Sequence, residues 1–400
     1  MRNKLNITYN ILACLLIASI VLADLFKAIP NIILALLAIL SPFVLQKDKV
    51  KKLPSFILFY FAFLIIVSFT LVFQNRLIED LKYIKGFLLI PVILLVLYNA
   101  GSKYISLFKA SYIVPLLGLA IYMSARISYM YVTQPDFSFT NGEIVYEYII
   151  GERIYLGFYT AIGAFLAFDL FKTKFYNKWI WLFCAVFLTV FIILIGSRIG
   201  LIVWSTWVFF EIVNAVKNHV IKWYYIAVFA IITAVVLLNT EIYDRLTYHN
   251  EYNEPFLTGL MEFEPRMEIW PCAIKNTNTS NVVFGQGFSN GQESLISCYS
   301  NIEKPEKADW FILRRYNTHN QYLNVLMGSG LLSLALFVIA NLMLIWHYRK
   351  TKYIGIILGI TLFLLIENVV FRQAGYYVIV IILLLASLEK RSKHELDKMY

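Results

Sequence analysis

The sequence predicts an all-α polytopic membrane protein of about 12 transmembrane helices with one large extracytoplasmic loop containing short helices. Three observations lead there. Only 15% of the 400 residues are charged and the mean hydropathy is +0.69. A soluble domain keeps about a quarter of its residues charged to cover its surface, so lipid must replace water over most of this chain. Apolar runs fall at about 7–24, 28–45, 53–73, 83–98, 111–131, 154–171, 179–195, 199–216, 223–239, 320–346, 353–370 and 374–388, near the roughly 20 residues that cross about 30 Å of hydrocarbon. The basic residues, finally, are concentrated in alternate connectors between those runs.

Read in order, the first eight runs raise one ambiguity. Residues 179–216 could form a single helix, but at about 1.5 Å per residue it would be nearly twice as long as a bilayer is thick. A reversal at Gly196, Ser197 and Arg198 resolves this and leaves an arginine at the turn. Twelve spans then put both termini on one side. The connectors of that side, at 47–52, 103–109, 172–178, 217–222 and 347–352, hold with the two termini 20 of the 35 Lys and Arg residues. The positive-inside rule makes that side cytoplasmic. The net charge of +10 is therefore a topology signal and argues against a nucleic-acid partner. The chain divides into an N-terminal transmembrane region (1–239, about nine helices), a large loop (240–318), C-terminal transmembrane helices (319–388, about three) and a cytoplasmic tail (389–400). The first apolar run is followed directly by another, so no cleaved signal peptide is expected.

The large loop mixes charges of both signs with Phe256, Phe263, Trp270, Phe284, Phe288 and Trp310, too many aromatic residues for a disordered linker. Short helices lying on the membrane are expected there, and a smaller external loop at 132–152. Cys14 and Cys184 fall inside apolar runs and read as packing residues. Cys272 and Cys298 share the large loop and could pair in an oxidising compartment. No Cys-x-x-Cys or Cys/His cluster suggests a metal site.

Three positions invite chemistry. Arg198, between two apolar runs, is costly against lipid and should face protein or a water-filled cavity. It is either an anchor that snorkels to headgroups or a bidentate ligand for phosphate oxygens. Pro265 suits the first turn of a helix, placing Arg266 at a helix start. Met267, Trp270 and Ile274 would then share one apolar face against the interface. The alternative for Arg266 is a surface pair with a nearby glutamate. Thr318 with Gln321 forms a capping-box pattern, which predicts Thr318 as the cap and His319 as the first helical residue. There the helix field would keep the imidazole neutral and able to accept a proton; the alternative is structural hydrogen bonding. Two arginines and a histidine at the outer face would suit a diphosphate with a base beside it. The lack of paired carboxylates favours arginine over a divalent metal as the electrophile. A transporter would show internal repeats and midplane charges; here the charges cluster at the outer face, with Glu367 and Arg126 the exceptions.

These residues carry a resemblance. Gly196, Ser197, Arg198, Ile199 and Gly200 between two spans, Arg266 to Trp270 followed by Phe284, Gly285, Gln286, Gly287 and Phe288, and His319 to Leu323 opening a span with Gly328 and Gly330 behind it are similar to the O-antigen ligase family, which includes O-antigen polymerases and related oligosaccharide transferases. The resemblance implies a GT-C-like, inverting glycosyltransferase without metal or nucleotide cofactor. Its donor would be an undecaprenyl-diphosphate-linked glycan, its acceptor a lipid A core sugar, and its place the bacterial inner membrane among membrane lipids, with the site facing the periplasm. Arg198 and Arg266 would bind the diphosphate and His319 would assist the acceptor hydroxyl. Arg76, Lys82 and Lys85 could add cations; Arg153, Tyr155, Asn320, Tyr322 and Trp270 could line the cavity; acceptor choice could reside in 289–315. A polymerase, a protein O-oligosaccharyltransferase and, outside enzymes, a polysaccharide flippase are the alternatives.

Overall fold

The protein is described by a computed structural model that covers residues 2–44, 54–133, 149–218, 264–278 and 282–396. Among the described residues the regular structure is helical: α1 (Arg2–Val21), α2 (Ile29–Val44), α3 (Ser55–Phe73), α4 (Leu77–Leu97), α5 (Ile105–Thr133), α6 (Arg153–Lys172), α7 (Lys178–Leu194), α8 (Arg198–Lys217), α9 (Arg266–Asn278), α10 (Phe288–Tyr299), α11 (Pro305–Arg314), α12 (Gln321–Tyr348), α13 (Ile354–Ile366) and α14 (Gln373–Leu396). Every predicted apolar run carries a helix except 223–239, which lies outside the described residues, as does most of the smaller external loop. Among the described residues seven helices are long and apolar enough to cross a membrane, and α2, α7 and α13 are shorter apolar helices. Large apolar side chains such as Leu58, Ile65, Phe69, Phe183 and Trp346 face outward. In water that surface would be unfavourable; in hydrocarbon it is solvated. The chain is a polytopic integral membrane protein.

Helix α6 is the axis of the bundle, with 83% of its apolar window buried against 22% for α8. Its small residues permit this. A Cβ on Gly200 of α8 would stand 2.8 Å from the carbonyl oxygen of Gly157 in α6, so both glycines are needed for the two backbones to touch, the small-residue contact typical of helices in lipid. Around α6 pack α5, α7 and α8; α13 lies on α8, α12 on α3, and α14 on α4.

The short helices α9, α10 and α11 do not merely cover the bundle. They enclose a second core of Ile269, Ala273, Leu295, Tyr299 and Phe311, closed below by Met327 of α12. Cys272 and Cys298 are disulfide-bonded with Cα atoms 5.8 Å apart, clipping α9 to α10. Trp270 leaves the predicted apolar face. It is half-buried against this core and donates to the Thr318 carbonyl at 3.1 Å, while Met267 and Ile274 stay exposed.

Candidate functional site

Each motif holds one side chain at the end of the bundle that carries the lobe. The reversal between α7 and α8 is present: Gly196 takes φ 55°, and the Ser197 hydroxyl accepts from Gly200 N at 3.2 Å. Arg198 is therefore the first residue of α8. At the lobe, Pro265 precedes α9, and Arg266 opens it as predicted. The two arginines meet at Glu264, so the alternative left open for Arg266, a pair with a nearby glutamate, is present; what the sequence did not indicate is that the same glutamate also faces Arg198. Glu264 Oε1 accepts from Arg266 Nη1, and Glu264 Oε2 lies 3.7 Å from Arg198 Nη1. Arg266 is fixed from the other side by the Ile366 carbonyl, which accepts from Nε at 3.1 Å and from Nη2 at 2.9 Å.

Ile366 ends α13, and the next residue reaches His319. Glu367 Oε2 is 2.9 Å from His319 Nδ1, and its Oε1 accepts from Asn368 N at 3.0 Å. The carboxylate is only 6% exposed, against 21% for the His319 side chain. Buried charges persist only when paired, and this one is. With Nδ1 engaged, Nε2 is the nitrogen left for chemistry. Arg198, Glu264, Arg266, Ile366, Glu367 and His319 thus form one continuous chain of contacts across four separate parts of the sequence.

The capping expectation is overturned. Helix α12 starts at Gln321, and Asn320 is the cap: its side chain accepts from Tyr322 N and Leu323 N at 2.9 and 3.0 Å. His319 lies before the cap in a left-handed conformation, φ 43°, so the helix-field reason for a neutral imidazole does not apply. Thr318 is diverted instead. It is 1% exposed, accepts from Asn368 Nδ2 at 3.1 Å and donates to the Asn320 carbonyl at 2.9 Å. Gln321 Oε1 accepts from Val370 N at 3.0 Å. The start of α12 is thereby fastened residue by residue to 367–370, and His319 is aimed by that seam.

The glycine motif 284–288 has a mechanical role. Gln286 N and Gly287 N donate to the carbonyls of Met327 and Gly328, and Leu331 N donates to that of Val282. Helix α12 is broken at Gly330, φ 80°, to receive this strap. A Cβ on Gly285 would stand 2.6 Å from Ser329 N, and one on Gly330 2.1 Å from the Val283 carbonyl oxygen. Asp80, fully buried in α4, accepts from Phe288 N and Ser289 N at 2.7 and 2.8 Å and so caps α10 from another helix.

The remaining candidates divide. Tyr155 is buried, its hydroxyl has no hydrogen-bond partner, and it interacts electrostatically with Glu367, so it borders the site. Arg153 opens α6 next to Glu152, which pairs with Arg372 at 3.1 Å. Burial raises the Glu152 pKa; Arg372 opposes this, while Glu367 and Asp24 add to it. Arg76 is paired with Glu79 at 2.6 Å, and Lys82 and Lys85 are exposed on α4; among the described residues no contact joins these three to the chain from Arg198 to His319. Asn320 is committed to its cap, and the Tyr322 ring packs on Phe337 at 5.4 Å between centroids. Segment 289–315 forms α10 and α11 of the lobe. Among the described residues no three His, Cys, Asp or Glu side chains are grouped as a metal site requires.

That geometry coincides with a known family. Residues 183–338 match the O-antigen ligase family. The O-antigen ligase segment begins in α7 and ends within α12. It takes in Arg198, Arg266 and His319, with the glycine strap between them, and stops short of Glu367. The match covers less than half of the chain and supports O-antigen-ligase-type activity in general. No curated protein matches the chain.

Proposed function

We propose that this protein transfers a glycan from undecaprenyl diphosphate to a hydroxyl of a lipid A core sugar at the periplasmic face of the inner membrane. The observation that carries this reading is the unbroken contact chain from Arg198 through Glu264, Arg266 and the Ile366–Glu367 corner to His319. It sets two guanidiniums and one imidazole side by side at a single end of the bundle.

The chemistry follows from the charges. A diphosphate leaving group develops negative charge as its bond to the sugar breaks, and guanidiniums hold such oxygens bidentately. His319 Nε2 takes the proton from the acceptor hydroxyl as its oxygen bonds to the anomeric carbon. The carbon–oxygen bond to the diphosphate breaks on the opposite face, and its electron pair stays with the diphosphate. The anomeric configuration inverts. Glu367 on Nδ1 orients the ring and balances the charge that the imidazole acquires, as a carboxylate does for a base elsewhere. The proton then passes to solvent.

Two features support the orientation. The Cys272–Cys298 disulfide fits an oxidising compartment. Helix α6 runs from Glu152 at the site end to Asp169 beside Lys109 and Lys352 at the other, so the basic connectors lie away from the site, as termini and connectors in the cytoplasm would require.

The test is a two-acceptor assay with the purified protein and an undecaprenyl-diphosphate glycan. Product on lipid A core, lost in His319→Ala, is the expected result. Lengthened lipid-linked glycan in a tube without lipid A core would instead make the enzyme a polymerase built on the same site. Transfer that survives both Arg198→Ala and His319→Ala would overturn the site.

A further inference from the structure

Glu264 occupies a position that the transfer chemistry does not require. It is an anion placed where the substrate's anion should go. Its two carboxylate oxygens face two different arginines, one opening α8 and one opening α9. Its side chain is 12% exposed, whereas those of Arg198 and Arg266 are 32% and 21% exposed. The cations are therefore more reachable from solvent than the carboxylate between them.

We propose that Glu264 is a resident counter-anion, which holds the diphosphate position while the site is empty and competes the diphosphate product out after transfer. The proposal rests on reading Arg198 and Arg266 as the diphosphate site. Three observations favour it over a plain structural brace. Arg266 keeps two hydrogen bonds to the Ile366 carbonyl through Nε and Nη2, so only Nη1 is committed to Glu264. Exchanging the carboxylate for a phosphate oxygen thus leaves the guanidinium where it is. Glu264 precedes α9, so its side chain can rotate without unwinding the helix. Its contact with Arg198, at 3.7 Å, is too long for a direct hydrogen bond and holds that arginine by charge alone.

Charge supplies the reason for such a residue. In the donor the diphosphate is esterified at both ends. Transfer frees one end and exposes a further ionisable oxygen, so the product is the more anionic ligand. A site of two bare guanidiniums would hold the product more tightly than the donor, and tight ground-state binding does not raise the turnover rate. Product release limits many enzymes. A carboxylate that re-forms its own contacts with the arginines lowers that affinity and offsets one of the two positive charges between turnovers.

The experiment uses the full-length protein in detergent and farnesyl diphosphate as a binding probe, beside steady-state transfer. Glu264→Gln removes the charge and keeps the shape. The expected result is about tenfold tighter probe binding, as the loss of one competing charge-assisted hydrogen bond implies. The donor KM should fall, and kcat should fall with it as release slows. Glu264→Asp, which retracts the carboxylate by one methylene, should move binding in the same direction by a smaller factor, and it stands in if Glu264→Gln does not fold. Unchanged or weaker binding in a folded variant would overturn the proposal and leave Glu264 a brace. Arg198→Ala and Arg266→Ala test the underlying site separately. If neither weakens probe binding to the wild type, the diphosphate reading fails, and the counter-anion fails with it.

Discussion

At the end of the bundle away from the lobe, Lys109 and Asp169 pair directly with side chains 3% and 4% exposed, and Lys352 and Glu389 complete a quartet through contacts of 2.5 to 3.5 Å. At the lobe end, Arg198 and Arg266 share one glutamate, and a fifth to a third of each side chain is exposed. Both groups mix cations with carboxylates from distant helices. The quartet has two charges of each sign, and every member has a partner. It joins α5, α6, α14 and the connector before α13, and a ligand there would have to break it. The lobe group keeps part of both guanidinium side chains and of the His319 side chain exposed to solvent. The difference separates charge used to fasten helices from charge held ready for a ligand.

The comparison is broken most severely at His319. His319→Ala should lower transfer by about 10²–10⁴-fold, the range for loss of a positioned general base. The thermal unfolding midpoint should fall less than in the quartet variant below, because Glu367, though left without its imidazole, keeps the hydrogen bond from Asn368 N. A comparable loss of stability would place His319 with the fastening residues instead.

The quartet should respond in the opposite way. Asp169→Asn leaves Lys109 and Lys352 with the half-buried Glu389 as the quartet's one remaining carboxylate, and breaking a buried ion pair from one side costs about 3–5 kcal/mol. Unfolding in detergent should move to markedly lower temperature, while transfer per folded molecule is kept. Replacing Lys109 and Asp169 together by leucine should recover part of that loss, because a well-packed apolar pair can stand in for a buried ionic one.

How far the sequence reveals these two groups depends on the range of the interaction. The helices are legible because lipid imposes an apolar run on each one. The reversal at Arg198 and the helix start at Arg266 are legible because Gly196, Ser197 and Pro265 act on their own neighbours. The cap of α12 was misread for the opposite reason. Thr318 and Asn320 are both good caps two residues apart, and the capping-box spacing favours Thr318. What decides between them is Asn368, 50 residues away, which takes the Thr318 hydroxyl for the seam. Glu367 looked like a stray charge at the end of a span because its partner His319 is 48 residues away, and Glu264 like one glutamate among several because nothing local to it points to Arg198. A rule that every carboxylate at a span end needs a cation or a histidine would have singled out Glu367 without naming His319.

The lobe offers a third, milder perturbation. The disulfide closes a loop with a sequence separation of 26, for which chain entropy gives about 3 kcal/mol. Cys272→Ser with Cys298→Ser should therefore loosen α9 against α10, seen as faster hydrogen exchange in both, while the quartet and its helices stay protected. Transfer should fall only as far as Arg266, carried by α9, loses its position. Equal loosening at both ends would mean that lobe and bundle unfold as one unit.

The smallest effect expected is at Glu367, and it distinguishes a positioning residue from a fastening one within the site itself. Glu367→Gln keeps the shape of the side chain but lets its amide present N–H to His319 Nδ1, which disfavours the ring orientation that leaves Nε2 as the base. The fall in kcat should be about tenfold, at the lower end of what an outer partner contributes to the group it orients. The donor KM should hold, because Arg266 keeps its two bonds to the Ile366 carbonyl. Glu367→Asp should regain most of the rate, since it restores an anion at slightly longer reach. A rise in KM equal to the fall in kcat would show that the corner at 366–367 serves the diphosphate side of the site. The seam between α13 and α12 would then fasten Arg266 more than it aims His319.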